Sequence, residues 1–182
     1  MKPLAWIAMG LVIIALSARF RGYDALADPF GWLLVACGVH ALPGRIPHRA
    51  GLLRLAGLAG AVSAVVWFPA VTDRLYAADA SLGWAVNLPQ VLFTALLCHA
   101  LATVAADTGD TVAARWLRSA RTAVVVVGLL PLLVFGAGMA SWELATYFAA
   151  GLVAVLVIGL LFAYAARPWA RAEPVPDAPD LR

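Results

Sequence analysis

Residues Arg19 to Trp32, RFRGYDALADPFGW, are the first polar break in a chain that is otherwise mostly apolar. Two arginines, two aspartates, two glycines and a proline stand here between two hydrophobic runs. Asp28-Pro29 reads as a helix start. The Asp side chain can accept from free backbone N–H groups, and Pro in the first turn has no N–H to lose. Trp32 then falls one turn inside, where an indole favours the membrane–water boundary. The stretch is therefore a tight connection between two apolar helices. That connection decides the fold: a membrane bundle rather than a soluble domain.

Composition agrees. Of 182 residues, 64% are hydrophobic and 13% charged, with a mean hydropathy of +0.90. Soluble domains carry about 45–50% apolar and about 25% charged residues. The excess lies in long runs with few charges, the pattern of transmembrane helices. The net charge of +3 is not a nucleic-acid footprint, because all the basic residues but Arg54 fall outside the apolar runs, in their connections and flanks. All but Lys2 are arginine. With abundant Ala, Gly and Val, this is the composition of a GC-rich bacterial genome. Cys37 and Cys98 both sit inside apolar runs and form neither a disulfide framework nor a zinc ribbon.

Six runs are predicted as spans: residues 3–18, 30–43, 51–71, 82–106, 123–140 and 144–166. They form one domain, residues 1–166, followed by a disordered cytoplasmic tail, 167–182, rich in Pro and charge. The first run is read as a span, not as a cleaved signal peptide, because further spans follow it. The second has fourteen residues, about 21 Å of helix against a hydrocarbon core of about 30 Å. In the third, Arg54 lies near the start and can snorkel to the headgroups. Ala56, Gly57, Gly60, Ala61 and Ala64 form small-residue pairs that favour close helix packing. Pro89 is expected to kink the fourth run, and Pro131 lies centrally in the fifth.

Six spans put both termini on one side. That side holds Lys2, Arg45, Arg49, Arg54, Arg115, Arg118, Arg121, Arg167, Arg171 and Arg182; the other holds Arg19, Arg21 and Arg74. The positive-inside rule places the ten-residue side in the cytoplasm.

The segment Gly22 to Trp32 resembles a group of small, uncharacterised bacterial membrane proteins whose first hairpin carries a D-x-L-P-D-x-x-G-[WY] pattern before a short Leu-rich span. Asp24, Leu26, Asp28, Gly31 and Trp32 match, and Ala27 replaces the usual Pro. The resemblance covers about the first forty-five residues. It implies a multi-spanning bacterial membrane protein and carries no activity with it.

Several residues are candidates for chemistry. Asp24 and Asp28, four apart on the outer side, could form a cation or proton site in a loop dipping into the bilayer. The preferred reading is a capped hairpin, with Asp28 as cap and Asp24 paired to Arg19 or Arg21. His40 and His99 stand on different helices, with Cys37 one turn before His40. They are weak candidates for haem or metal, and interhelical hydrogen bonding is preferred. Asn87, Gln90 and Thr94 share one helix face. They either line a small polar pathway or bind helices together, and the second is preferred. No nucleophile elbow, zinc-protease motif, P-loop or dinucleotide fingerprint is present in the sequence.

The expectation is an all-α, polytopic membrane helix bundle in a bacterial cell membrane, with the bilayer as its first partner. Nucleic acid is not expected as a partner and no cofactor is implied. Other membrane proteins or a second copy remain open as partners. The first functional reading is a membrane-embedded scaffold or assembly partner without chemistry of its own. The alternative is a small transporter or channel with a polar pathway along the fourth helix. Haem or metal binding by His40 and His99 is third.

Overall fold

The computed structural model describes residues 2–16, 19–20, 23–24, 28–78, 80–136 and 142–171. The fold is all-helical but for one minimal hairpin. Its helices are α1 (Pro3–Ala15), α2 (Asp28–His40), α3 (Arg49–Val66), α4 (Pro69–Ala78), α5 (Ala80–Ala85), α6 (Leu88–Asp107), α7 (Thr111–Gly136) and α8 (Glu143–Tyr164). Between α1 and α2, β1 (Arg19–Phe20) pairs antiparallel with β2 (Tyr23–Asp24), with Arg19 opposite Asp24.

Six helices close into a ring of neighbours. Each packs on the next, in the order α1, α2, α3, α6, α7, α8, and α8 returns to α1. The short helices α4 and α5 bridge α3 and α6. The six runs are thus six ring members with altered bounds. The third ends at Val66, because Pro69 opens a new helix. The fourth is broken at Val86–Asn87. Pro89 stands in the first turn of α6, so it starts a helix instead of kinking one. The fifth belongs to a 26-residue helix that begins at Thr111 and carries its arginines on the same rod as its apolar half.

Three stretches are long and apolar enough to cross a membrane among the described residues: Arg49–Val66, Ser81–Asp107 and Leu144–Tyr164. α1 and α2, of 13 residues each, reach about 20 Å. The outside of the bundle is as apolar as its inside. Phe30, Leu58, Leu92, Leu129, Leu152, Val155 and Phe162 are all exposed, and the fully buried residues among those described are apolar. Such a surface suits hydrocarbon as its solvent.

Glycine sets the α1–α2 contact. A Cβ on Gly10 would lie 2.5 Å from the Gly31 carbonyl oxygen, and one on Gly38 would lie 2.6 Å from Ile7 Cγ1 and 2.9 Å from the Ile7 nitrogen. Gly31 and Gly38 are seven apart, so they share a face two turns along α2. Backbones at that separation gain dispersion contacts that larger residues would block. The small-residue face of α3 is used only in part. Ala56 is buried and Gly60 abuts Trp32, but nothing lies within 4 Å of a Cβ on Gly57.

Two further expectations change. Trp32 does not sit at a lipid boundary. It is 2% exposed and meets Phe93 edge-on, with ring centroids 5.3 Å apart. Such a pair contributes about 0.5–1.5 kcal/mol beyond area burial. The tail, read as disordered from residue 167, begins instead as part of the fold. Pro168–Ala170 forms a 3-10 turn, and Trp169 and Ala170 are buried. Arg21, Asp79 and residues 172–182 lie outside the described residues.

Candidate functional site

A cavity of about 330 Å³ opens between α5–α6, α7 and α8. Its polar wall is built from Asn87, Gln90 and Thr94, on the face that their three- and four-residue spacing implies. α8 adds Thr146 and Tyr147; α7 adds Val127, Gly128 and Pro131. No Asp, Glu, Lys, Arg or His lines it among the described residues.

Local chemistry shapes this wall. The Asn87 carboxamide donates to the Gly83 carbonyl at 2.9 Å, across the break between α5 and α6. Thr94 Oγ1 donates to the Gln90 carbonyl at 2.8 Å, and Thr146 Oγ1 to the Trp142 carbonyl at 3.0 Å. These are back-bonds within one segment, and none ties two ring helices together. Each leaves its oxygen lone pairs free to accept. The Gln90 carboxamide, half-buried, makes no hydrogen bond among the described residues. Pro131 has no N–H to give the Val127 carbonyl, so one more acceptor belongs to the lining. The helices are joined here by Trp84, whose indole N–H donates to the Gly128 carbonyl at 2.9 Å. Gly128 is needed for close approach, since a Cβ there would meet Val91 Cγ1 at 2.6 Å.

The remaining candidates lie elsewhere. Asp28 is the first residue of α2 and Pro29 the second. Asp24 faces Arg19 across the β1–β2 register. Cys37 and His40 are exposed on α2, Cys98 is buried on α6, and the guanidinium of Arg49 donates to the His40 carbonyl. The ring beside His99 is that of His48, not of His40: the two stack with centroids 5.9 Å apart. Arg121 donates to His99 Nδ1 at 3.1 Å. Among the described residues no three His, Cys, Asp or Glu side chains are grouped to hold a metal ion. Arg54 is exposed, as its place near the start of α3 implied.

Thr146, Tyr147, His48, Arg121 and Asp110 were not singled out in the sequence. Thr146 and Tyr147 open a strongly apolar run and read only as its entry. Asp110 and Arg121 both lie in the connection before a helix predicted to begin at residue 123.

No protein-family model, curated protein or solved structure matches this chain.

Proposed function

We propose that this is a multi-pass protein of the bacterial cell membrane, with both termini cytoplasmic, that takes a neutral, partly apolar small solute into the α6–α7–α8 cavity for passage across the bilayer. One observation carries this reading. The polar face Asn87–Gln90–Thr94 opens onto a cavity and does not bond across to a neighbouring ring helix. Polar groups inside a bilayer are costly unless they meet water, protein or a ligand. The absence of ionisable lining groups among the described residues favours an uncharged solute over an ion. The free acceptors favour one that donates hydrogen bonds.

The test is solute-driven swelling of proteoliposomes, followed by light scattering with glycerol and with acetamide. Wild-type vesicles should swell faster than protein-free ones. Asn87→Leu with Gln90→Leu should slow the protein-dependent rate about fivefold or more, the effect of losing about 1 kcal/mol per hydrogen bond. Equal rates for wild type and variant would remove the pathway.

A second reading, the membrane-embedded assembly partner, is favoured by a different observation. Gly57, Gly151 and Gly159 have open space where a side chain would stand, and small residues of that kind admit a second helix closely. A concentration-independent monomer in mild detergent would argue against it.

A further inference from the structure

At the Arg-rich end of the bundle, side chains from three elements meet. His48 enters α3, His99 lies on α6 and Arg121 on α7. The two imidazole rings stack at 5.9 Å with 27° between their planes, and Arg121 Nη1 lies 3.1 Å from His99 Nδ1. We propose that Arg121, held by the His99 ring on which His48 stacks, binds a phosphate oxyanion, carried by a lipid headgroup or free in solution.

The argument begins with Arg121. A guanidinium stays charged at all working pH values. Half-buried, it needs an anion to offset the lost hydration. Arg121 has no carboxylate partner among the described residues; the ion pair seen among them, Arg167 with Asp110, involves neither histidine nor Arg121. Its bond to His99 requires Nδ1 as acceptor, so His99 is neutral there and carries its proton on Nε2. A neutral imidazole occupies one donor and cancels no charge. Most of the five guanidinium donors therefore remain, in the planar fork that fits a phosphate bidentately.

The histidines fix where the guanidinium stands. His99 takes one Arg121 N–H at Nδ1, and His48 is held over that ring by a left-handed backbone, φ 59°. A guanidinium fork with no carboxylate opposite it suits an oxyanion that can accept from two N–H groups at once. The position also fits, since basic groups between helices at the cytoplasmic end meet the headgroup layer.

The full chain, purified in a neutral detergent, is titrated with two probes while its melting temperature is followed. One probe is sodium phosphate, against sodium chloride at equal ionic strength; the other is dihexanoyl phosphatidylglycerol. At least one should stabilise saturably. Arg121→Gln should weaken the apparent affinity about tenfold, the loss of a charged hydrogen-bonded contact. Arg118→Gln, an exposed position one turn earlier on the same helix, should leave it unchanged. Saturation by the lipid alone assigns the headgroup; saturation by both assigns the phosphate itself. Should Arg121→Gln fail to fold, Arg121→Lys, which keeps the charge and loses the planar fork, makes the same comparison with a smaller loss. No saturation by either probe overturns the proposal. So does equal weakening by Arg118→Gln, which would mean diffuse charge and no site.

Discussion

Asp110 joins the start of α7 to the segment that follows α8. Its Oδ1 accepts from the Ala113 backbone N–H at 3.1 Å, capping α7. Its Oδ2 accepts from the Trp169 indole at 3.1 Å and lies 3.6 Å from Arg167 Nε. The hydrogen bond from Trp169, that from Ala113 and the Arg167 charge together hold the carboxyl below its ordinary value of 3.8, against a smaller opposing effect of desolvation. The sign follows from linkage. A carboxyl whose folded pKa is depressed adds stability that is complete above the ordinary carboxylate range. It loses that stability as pH falls through the folded value, because the unfolded chain then binds the extra proton. Asp110→Ala should lower stability at neutral pH by roughly 0.5–2 kcal/mol, the usual cost of a lost cap. Asp110→Asn, which keeps a capping oxygen, should cost less. Both should flatten the acid limb of a detergent melting curve recorded from pH 6 to pH 3. An unchanged acid limb in Asp110→Asn would show that other carboxyls set it. The sequence places Asp110 only in the connection between the fourth and fifth predicted runs; its partners come from residues fifty-nine and fifty-seven positions away, which no local pattern signals.

Among elements, the α1–α2 pair shows how one motif can be silent in one helix and decisive in another. Small residues recur in α3 and in α2 alike. On α3, Gly57 faces open space; on α2, Gly38 touches the backbone of α1. Gly38→Ala should therefore destabilise by about 1–3 kcal/mol, the cost of overpacking where backbone must move. Gly57→Ala should be neutral or stabilising by up to about 1 kcal/mol, since Ala is the better helix former. Paired melting temperatures in one detergent decide it, and a larger loss in Gly57→Ala would mean that this face of α3 is packed by a partner. The same logic separates Pro89 from Pro131. Both occur in apolar runs, but the turn at Val86–Asn87 makes Pro89 a helix start, whereas Pro131 lies inside α7 and frees an acceptor beside the cavity.

For the whole molecule, three connections meet at one end. Arg45, from the loop between α2 and α3, donates to the Pro168 carbonyl at 3.2 Å, and Trp169 reaches Asp110 between α6 and α7. The loop, the α6–α7 turn and the start of the tail thus share a side, the one that the proposed topology puts in the cytoplasm. Reporter fusions after Pro43, Gly109 and Ala170 should all report cytoplasm, and one after Asp24 the outside. Opposite signals at Pro43 and Gly109 would contradict the shared end.

Helical class, apolar character and the face shared by Asn87, Gln90 and Thr94 were legible in the sequence, because hydropathy and the 3.6-residue period are local properties. The bounds of the helices were less so, since a proline reads alike as kink or start until the chain before it is placed. What those three polar side chains face, which imidazole stacks on His99 and where Trp32 lies were decided by the tertiary structure alone. Each depends on a neighbour brought close by ring closure. Phe93 buries Trp32, His48 reaches His99 in place of His40, and α8 completes the cavity wall. Periodicity fixes the face of a helix on which a residue stands; only packing determines whether that face meets lipid, another helix or open space.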